Sequence, residues 1–159
     1  MYQNSPQPLY NNAMGIYAKS LAHMRMGLSH LRSQLYSIHA IDDPTCEFCH
    51  QEREDPCHYL VRCDHFERER LEMVCELFKV IPPDYWISQS EANITNILLF
   101  GSTEFSYALN VSIQNIVLRY IMNTKRFYWL FNITVHFFIF RFLYWYLLWI
   151  HKLITISVN

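Results

Sequence analysis

The chain has no excess of positive charge: 13 Lys and Arg stand against 14 Asp and Glu over 159 residues. Proteins that bind nucleic acid through their general surface usually show a basic face, so any contact to RNA or DNA must come from a local stripe. The first twelve residues carry Pro6 and Pro8 but no basic start followed by an apolar run, which argues against a secretory signal. A reducing compartment, nuclear or cytoplasmic, is therefore the default. There the five cysteines are expected as thiols or metal ligands rather than disulfides. Without an export signal, the glycosylation patterns at Asn93, Asn110 and Asn132 carry little weight. No segment alternates apolar and polar residues as a half-buried strand does, and there is no internal repeat.

What is present is unevenly spread. Only three glycines accompany 52% hydrophobic and 16% aromatic residues. From Phe127 to Asn159 the formally charged residues are Arg141 and Lys152 alone, whereas Asp42 to Lys79 is densely charged. The expected organisation is a polar N-terminus at 1–12 without fixed structure, a helical segment at 13–43, a metal knuckle with its following helix at 44–80, two further helices at 81–126, and a hydrophobic aromatic tail at 127–159. The fold class is mainly α, a small helical domain around the knuckle followed by a hydrophobic helical tail.

Apolar residues at Met14, Tyr17, Ala18, Leu21, Met24, Leu28, Leu31, Leu35 and Ile38 follow a helical period. Gly27 breaks it, and Ser29 suits an N-cap, so two helices are expected to meet near Gly27. Asp43 and Pro44 end the second. Asp64 with Glu67 has capping-box form, opening a helix with Phe66, Arg70, Leu71, Val74, Cys75 and Phe78 on its inner side and the Pro82, Pro83 pair as its limit. Ser88 with Glu91 repeats that form before a helix that stops at Gly101. A last helix then turns Phe105, Leu109, Ile113, Ile116, Val117 and Tyr120 inward.

The chemistry sits in Cys46, Cys49, His58 and Cys63, spaced C-x2-C-x8-H-x4-C. Two thiolates two residues apart grip one ion from a tight turn, and a helix beginning near His58 brings His58 and Cys63 round to complete a tetrahedron. Three thiolates and one imidazole form a soft, closed set that suits structural Zn(II) and leaves no open position for a catalytic water. Buried or idle cysteines are the competing reading, although four ligands in order are a stronger signal than a lone pair. Cys57, His50 and His65 are within reach as substitute ligands, and Cys75 reads as core. Candidate nucleic-acid contacts are Arg25 and Arg32, with Lys19, before the cluster, and Arg62, Arg68 and Arg70 after it; a solvated helix face competes with that reading.

Four runs in order resemble the C-terminal region of non-LTR retrotransposon reverse transcriptases: RMGLSHLRSQLY from Arg25, PTCEFC from Pro44, EDPCHYLVRC from Glu54 and FERERL from Phe66. The stretch from Ile116 to Phe127 is similar to the final helix of some such reading frames. The resemblance spans roughly Met14 to Phe127. It departs from the family where Leu28 follows Gly27 in place of the more usual His, and where Asp64 replaces a frequent Pro. The family copies element RNA into DNA, but no Tyr-x-Asp-Asp polymerase motif is present and the chain is too short for that domain. The resemblance thus implies a non-catalytic fragment whose CCHC module, on Cys46, Cys49, His58 and Cys63, holds zinc and helps to bind the element's RNA or target DNA. A restriction-like nuclease is a weaker alternative, since Asp84 and Glu91 have no suitably placed lysine after them.

From Phe127 to Ile150 the chain is long enough to span a bilayer. Arg141 near the middle costs about 2.5 to 3.5 kcal/mol on insertion scales. An extension read from AT-rich flanking DNA, a membrane anchor and a core helix are the three readings. The anchor would make the chain a membrane-bound zinc adaptor that binds protein. A segment apolar on nearly all sides is expected to project as a helix from so small a body.

Overall fold

The computed structural model describes residues 15–127. The chain divides into two units, Met1–Lys125 and Arg126–Asn159. In the second, only Arg126 and Phe127 are described. The expectations for 1–12 and for a projecting or membrane-spanning tail therefore lie outside the described residues. Among the described residues no helix is long and apolar enough to cross a membrane.

The described residues are mainly helical, with no strand among them and one isolated antiparallel bridge between Thr45 and Arg53. In chain order the helices are α1 (Gly15–Arg25), α2 (Arg32–Ser37), α3 (Glu67–Leu77), α4 (Pro83–Ile87), α5 (Glu91–Phe100) and α6 (Tyr107–Thr124). Between α2 and α3 lie the metal-type hairpin, a π-helical turn at His58–Arg62 and a 3-10 turn at Asp64–Phe66.

The break near Gly27 takes the form its residue type predicts. Gly27 has φ +68, its N–H donates to the Met24 carbonyl at 3.3 Å, and the Leu28 N–H donates to His23 at 2.8 Å. This paired closure is the Schellman stop of α1. Helix α2 begins at Arg32, later than the cap expected at Ser29. The Ser29 hydroxyl lies 3.5 Å from the Leu31 N–H, too far to compete with the carboxylate of Glu54, which accepts from Arg32 N–H at 2.9 Å.

The other caps shift for similar reasons. Asp64 opens the 3-10 turn instead of capping α3, which starts at Glu67 with no side-chain cap. Pro82 and Pro83 do more than limit α3, because Pro83 occupies the first turn of the short α4. A proline fits there since it has no N–H to satisfy. Ser88 is thereby used as the C-cap of α4, and Ser90 caps α5, accepting from the Asn93 N–H at 3.3 Å. Gly101 ends α5 as expected, with φ +80, and a Cβ there would collide with the Asn110 side chain.

Helix α6 is the centre of the packing, lying against α1, α3 and α5. Ile113, Ile116, Val117 and Tyr120 are buried as the period predicts, and Leu118 and Ile121 join them because neighbours cover α6 on more than one side. Phe105 and Leu109, near its start, are half-buried. The inner face of α3 differs from expectation. Phe66, Met73 and Leu77 are buried, whereas Leu71, Cys75 and Phe78 are exposed. The stripe 66, 70, 73, 77 faces inward, and the Arg70 guanidinium on it donates to the Cys63 carbonyl at 2.7 Å. Cys75 is thus a surface residue and not core. Fully buried Leu31, Leu60, Leu77, Leu98 and Leu118 each contribute roughly 1.5 to 3 kcal/mol by leaving water.

Candidate metal centre

The centre is built by a hairpin and the turn that follows it. The Cys46 N–H donates to the Glu52 carbonyl at 2.8 Å and the Glu54 N–H to the Pro44 carbonyl at 2.9 Å, which zips the two arms together. The reversal between them closes with His50 N–H on the Cys46 carbonyl at 2.9 Å, His50 itself taking φ 55. This tight loop turns the two thiols of a C-x2-C pair to one side. Backbone N–H groups of Phe48 and Cys49 point at the Cys46 sulfur, and those of Gln51 and Glu52 at the Cys49 sulfur.

The second ligand pair depends on an unusual helical turn. Asp55 accepts from the His58 N–H through Oδ1 at 2.7 Å, with Pro56 directly after it, so an Asp cap and a first-turn Pro start the segment. In an α-helix, residues five apart are separated by about 500° of rotation and face well away from one another. Here the Cys63 N–H donates to the His58 carbonyl at 2.8 Å, an i to i+5 closure that widens the turn and stacks Cys63 over His58. The x4 spacing works through that π turn.

The result is a closed set. One ligand atom from each of Cys46, Cys49, His58 and Cys63 lies within 4.8 Å of all the others. The Cys46 and Cys63 sulfurs are 3.9 Å apart, and the Cys49 sulfur is 3.3 Å from His58 Nε2. A tetrahedral ion with metal–sulfur bonds of about 2.3 Å requires sulfur–sulfur edges of about 3.8 Å. Cys46, His58 and Cys63 are buried and Cys49 is half-buried. The donor set and its spacing therefore fit a tetrahedrally held metal ion. Cys57, His50 and His65, the substitute ligands, stay outside the set. The His65 ring instead packs at 5.0 Å from Phe48 and 4.9 Å from Phe66.

Electrostatics at the three thiols differ. Burial raises the Cys46 thiol above its ordinary value and pushes Cys63 up to about 12, with the neighbouring sulfurs adding to the effect at Cys63. At Cys49 burial acts in the same direction but is outweighed by the N–H groups of Gln51 and Glu52 together with hydrogen bonds from the Cys46 and Cys63 thiols, so its thiol is lowered. Cys49 is the thiolate nearest to being formed.

Three acidic residues that the sequence presented only as local charge prove structural. Glu54 is fully buried, its carboxylate accepting from Arg32 N–H and its carbonyl from Ser33 N–H at 3.1 Å. Asp55 caps the turn that carries His58. Glu52 Oε2 lies 3.4 Å from His58 Nδ1 and 3.3 Å from Arg62 Nε. The available signal was an acidic residue directly before Pro56 and three residues before His58.

The five candidate nucleic-acid arginines have internal partners. Arg25 donates to the Leu99 carbonyl. Arg32 donates to the Asp43 carbonyl at 2.8 Å, with Glu47 at 4.0 Å. Arg62 lies between Glu52 and Glu91, the latter at 3.8 Å, and Arg70 holds the Cys63 carbonyl. Arg68 pairs with Glu69 at 3.0 Å but keeps a side chain 83% exposed. With Arg119, Glu69, Glu72 and Glu76 it borders an open groove of about 530 Å³ along α3 and α6, whose charged lining is three acidic and two basic side chains.

Comparison with protein-family models, curated proteins and solved structures gave no match.

Proposed function

We propose that the chain is a non-catalytic structural zinc module, of the type its sequence resembles at the C-terminus of non-LTR retrotransposon reverse transcriptases, which assists the binding of RNA or target DNA. The observation that carries this reading is the convergence of Cys46, Cys49, His58 and Cys63 at tetrahedral spacing. Zinc suits it because three thiolates and an imidazole are soft donors without a vacancy for water or substrate. Three thiolates against a divalent ion leave one net negative charge. The Arg70 guanidinium on the Cys63 carbonyl stands where it offsets that charge.

The module is tied into the fold rather than appended to it. Tyr59 and Leu60, next to His58, are fully buried, and the π turn packs against α3 and α5. Metal binding therefore stabilises the domain as well as the loop, in the way that structural zinc contributes directly to folding. Nucleic-acid contact rests on the resemblance and on exposed Arg68.

Metal analysis of the freshly reduced chain tests the reading, with one zinc per molecule expected. Cys49→Ala and His58→Ala should each abolish stoichiometric zinc, while Cys57→Ala and Cys75→Ala should retain it. A reduced wild-type chain with less than about a third of an equivalent would overturn the assignment, since structural sites bind with apparent energies of about 10 to 16 kcal/mol. Salt-dependent retention of labelled RNA or DNA tests the second half of the proposal.

A further inference from the structure

Glu52 touches three of the four candidate ligands. Its carbonyl accepts from the Cys46 N–H at 2.8 Å, its own N–H points at the Cys49 sulfur, and its carboxylate Oε2 lies 3.4 Å from His58 Nδ1. The first two contacts belong to the backbone and would survive any side-chain substitution. The third belongs to the carboxylate alone. His58 directs Nε2 at the Cys49 sulfur, so Nδ1 is the nitrogen left facing Glu52.

We propose that Glu52 is a positioning residue of the metal centre: its carboxylate accepts the Nδ1–H of His58, and thereby fixes the tautomer and ring orientation that present the Nε2 lone pair to the ion. The inference rests on the zinc reading above and deepens it. An imidazole that ligates through one nitrogen needs its proton on the other, and a carboxylate acceptor selects that form and makes the ligating nitrogen more basic. The Glu52 side chain is about half exposed, and burial does not hold it in place. Arg62 supplies the restraint, with Nε 3.3 Å from the same Oε2 and Nη1 3.8 Å from Glu91 in the first turn of α5. The relay Glu91, Arg62, Glu52, His58 couples α5 to the ligand.

The test compares Glu52→Ala, Glu52→Gln and Glu47→Ala in the full chain. Zinc affinity is read by competition with a chromogenic chelator, and ligand geometry by the visible absorption of the Co(II)-loaded chain. Removal of an outer-shell partner of a ligating histidine typically lowers metal affinity 10- to 100-fold, and Glu52→Ala is expected in that range with a changed cobalt spectrum. Glu52→Gln keeps an oxygen acceptor for Nδ1–H and should stay within about threefold of wild type with the wild-type spectrum. Glu47→Ala removes the same charge from the same hairpin, where Glu47 stands 4.0 Å from Arg32, and should match wild type.

Wild-type affinity and spectrum in Glu52→Ala would overturn the proposal while leaving the zinc centre standing. Equal losses in Glu47→Ala and Glu52→Ala would also overturn it, since net charge would then be the cause. A wild-type chain that takes up neither zinc nor cobalt when reduced would instead remove the metal reading itself, and this inference with it.

Discussion

The Tyr120 hydroxyl donates to the backbone carbonyl of Tyr59 at 2.6 Å, joining the middle of the packing to the residue beside His58. The Tyr59 hydroxyl in turn lies 2.7 Å from Thr124 Oγ1, and the two rings meet at 5.4 Å. Helix α6 therefore holds the turn that carries two of the candidate metal ligands. Tyr120→Phe keeps the ring and removes one buried hydrogen bond, an expected loss of about 1 to 2 kcal/mol in denaturant unfolding of the metal-loaded chain. One zinc per chain should remain. Unchanged stability would mean that α6 does not brace the π turn.

Proton release gives a second prediction. Burial keeps Cys46 and Cys63 protonated at neutral pH, Cys63 most strongly with its value at about 12, so metal uptake near pH 7 must displace their protons. Affinity should climb with pH by up to about two logarithmic units per unit through the neutral range. The metal-free fold should behave oppositely. Its Cys63 is raised above the unfolded value of about 8.5, so that residue's contribution is complete below about pH 8.5 and is lost as pH rises toward 12. Chelator competition and unfolding of the metal-free chain across pH 6 to 10 measure the two trends.

Glu54 offers a third. It links the hairpin to α2 through its carboxylate on Arg32 N–H and its carbonyl on Ser33 N–H, and its side chain is the only part a substitution removes. Glu54→Ala should cost about 0.5 to 2 kcal/mol for the lost cap and speed hydrogen exchange at the amides of Arg32–Ser37. Glu54→Gln retains an acceptor and should cost less. Exchange in α2 that ignores both substitutions would show that the helix is held by other contacts.

The helices and the ligand set were legible in the sequence because each depends on residue type at fixed spacing. Gly27 stops α1, Gly101 stops α5, and Ile113, Ile116, Val117 and Tyr120 face inward, all by local rules. The C-x2-C half also carries its geometry in its spacing, whereas the H-x4-C half needs the π turn at His58–Arg62, which an ordinary helix would not supply. Caps were less legible: Ser29 had a competitor that only the folded chain brings near, Asp64 is taken up in the 3-10 turn, and Ser88 ends a short helix in front of α5. Glu54 reaches α2 across 22 residues, and Pro83 creates a short helix that takes Ser88 as its end. The face of α3 was misread because Leu71, Cys75 and Phe78 are apolar but Arg70 is held toward Cys63, which turns the helix onto Met73 and Leu77. Internal pairing of the arginines was likewise invisible. A charge pattern shows which residues are basic and not which carboxylate or carbonyl each one meets.

That pairing decides how the nucleic-acid proposal is best tested, and Arg68 and Arg70 make the contrast. Both stand in the first half of α3, two residues apart. Arg70 is half-buried and donates to the Cys63 carbonyl at 2.7 Å, whereas the Arg68 side chain is 83% exposed and meets only the adjacent Glu69 among the pairs described. A charge on a long exposed side chain can leave a neighbouring carboxylate for a phosphate at little cost, because exposed ion pairs are worth about 0 to 1 kcal/mol. Arg68→Glu is therefore expected to weaken RNA binding severalfold at low salt and to reduce the salt slope by about one, with zinc content unchanged. Arg70→Glu should act differently. It breaks the bond to the Cys63 carbonyl and sets a carboxylate beside a thiolate-rich centre, so zinc affinity should fall first and any loss of RNA binding should follow the metal. Binding isotherms from about 50 to 200 mM salt, taken alongside zinc content for each variant, separate the two effects. If Arg68→Glu leaves both affinity and salt slope unchanged, the exposed face of α3 makes no contact with nucleic acid.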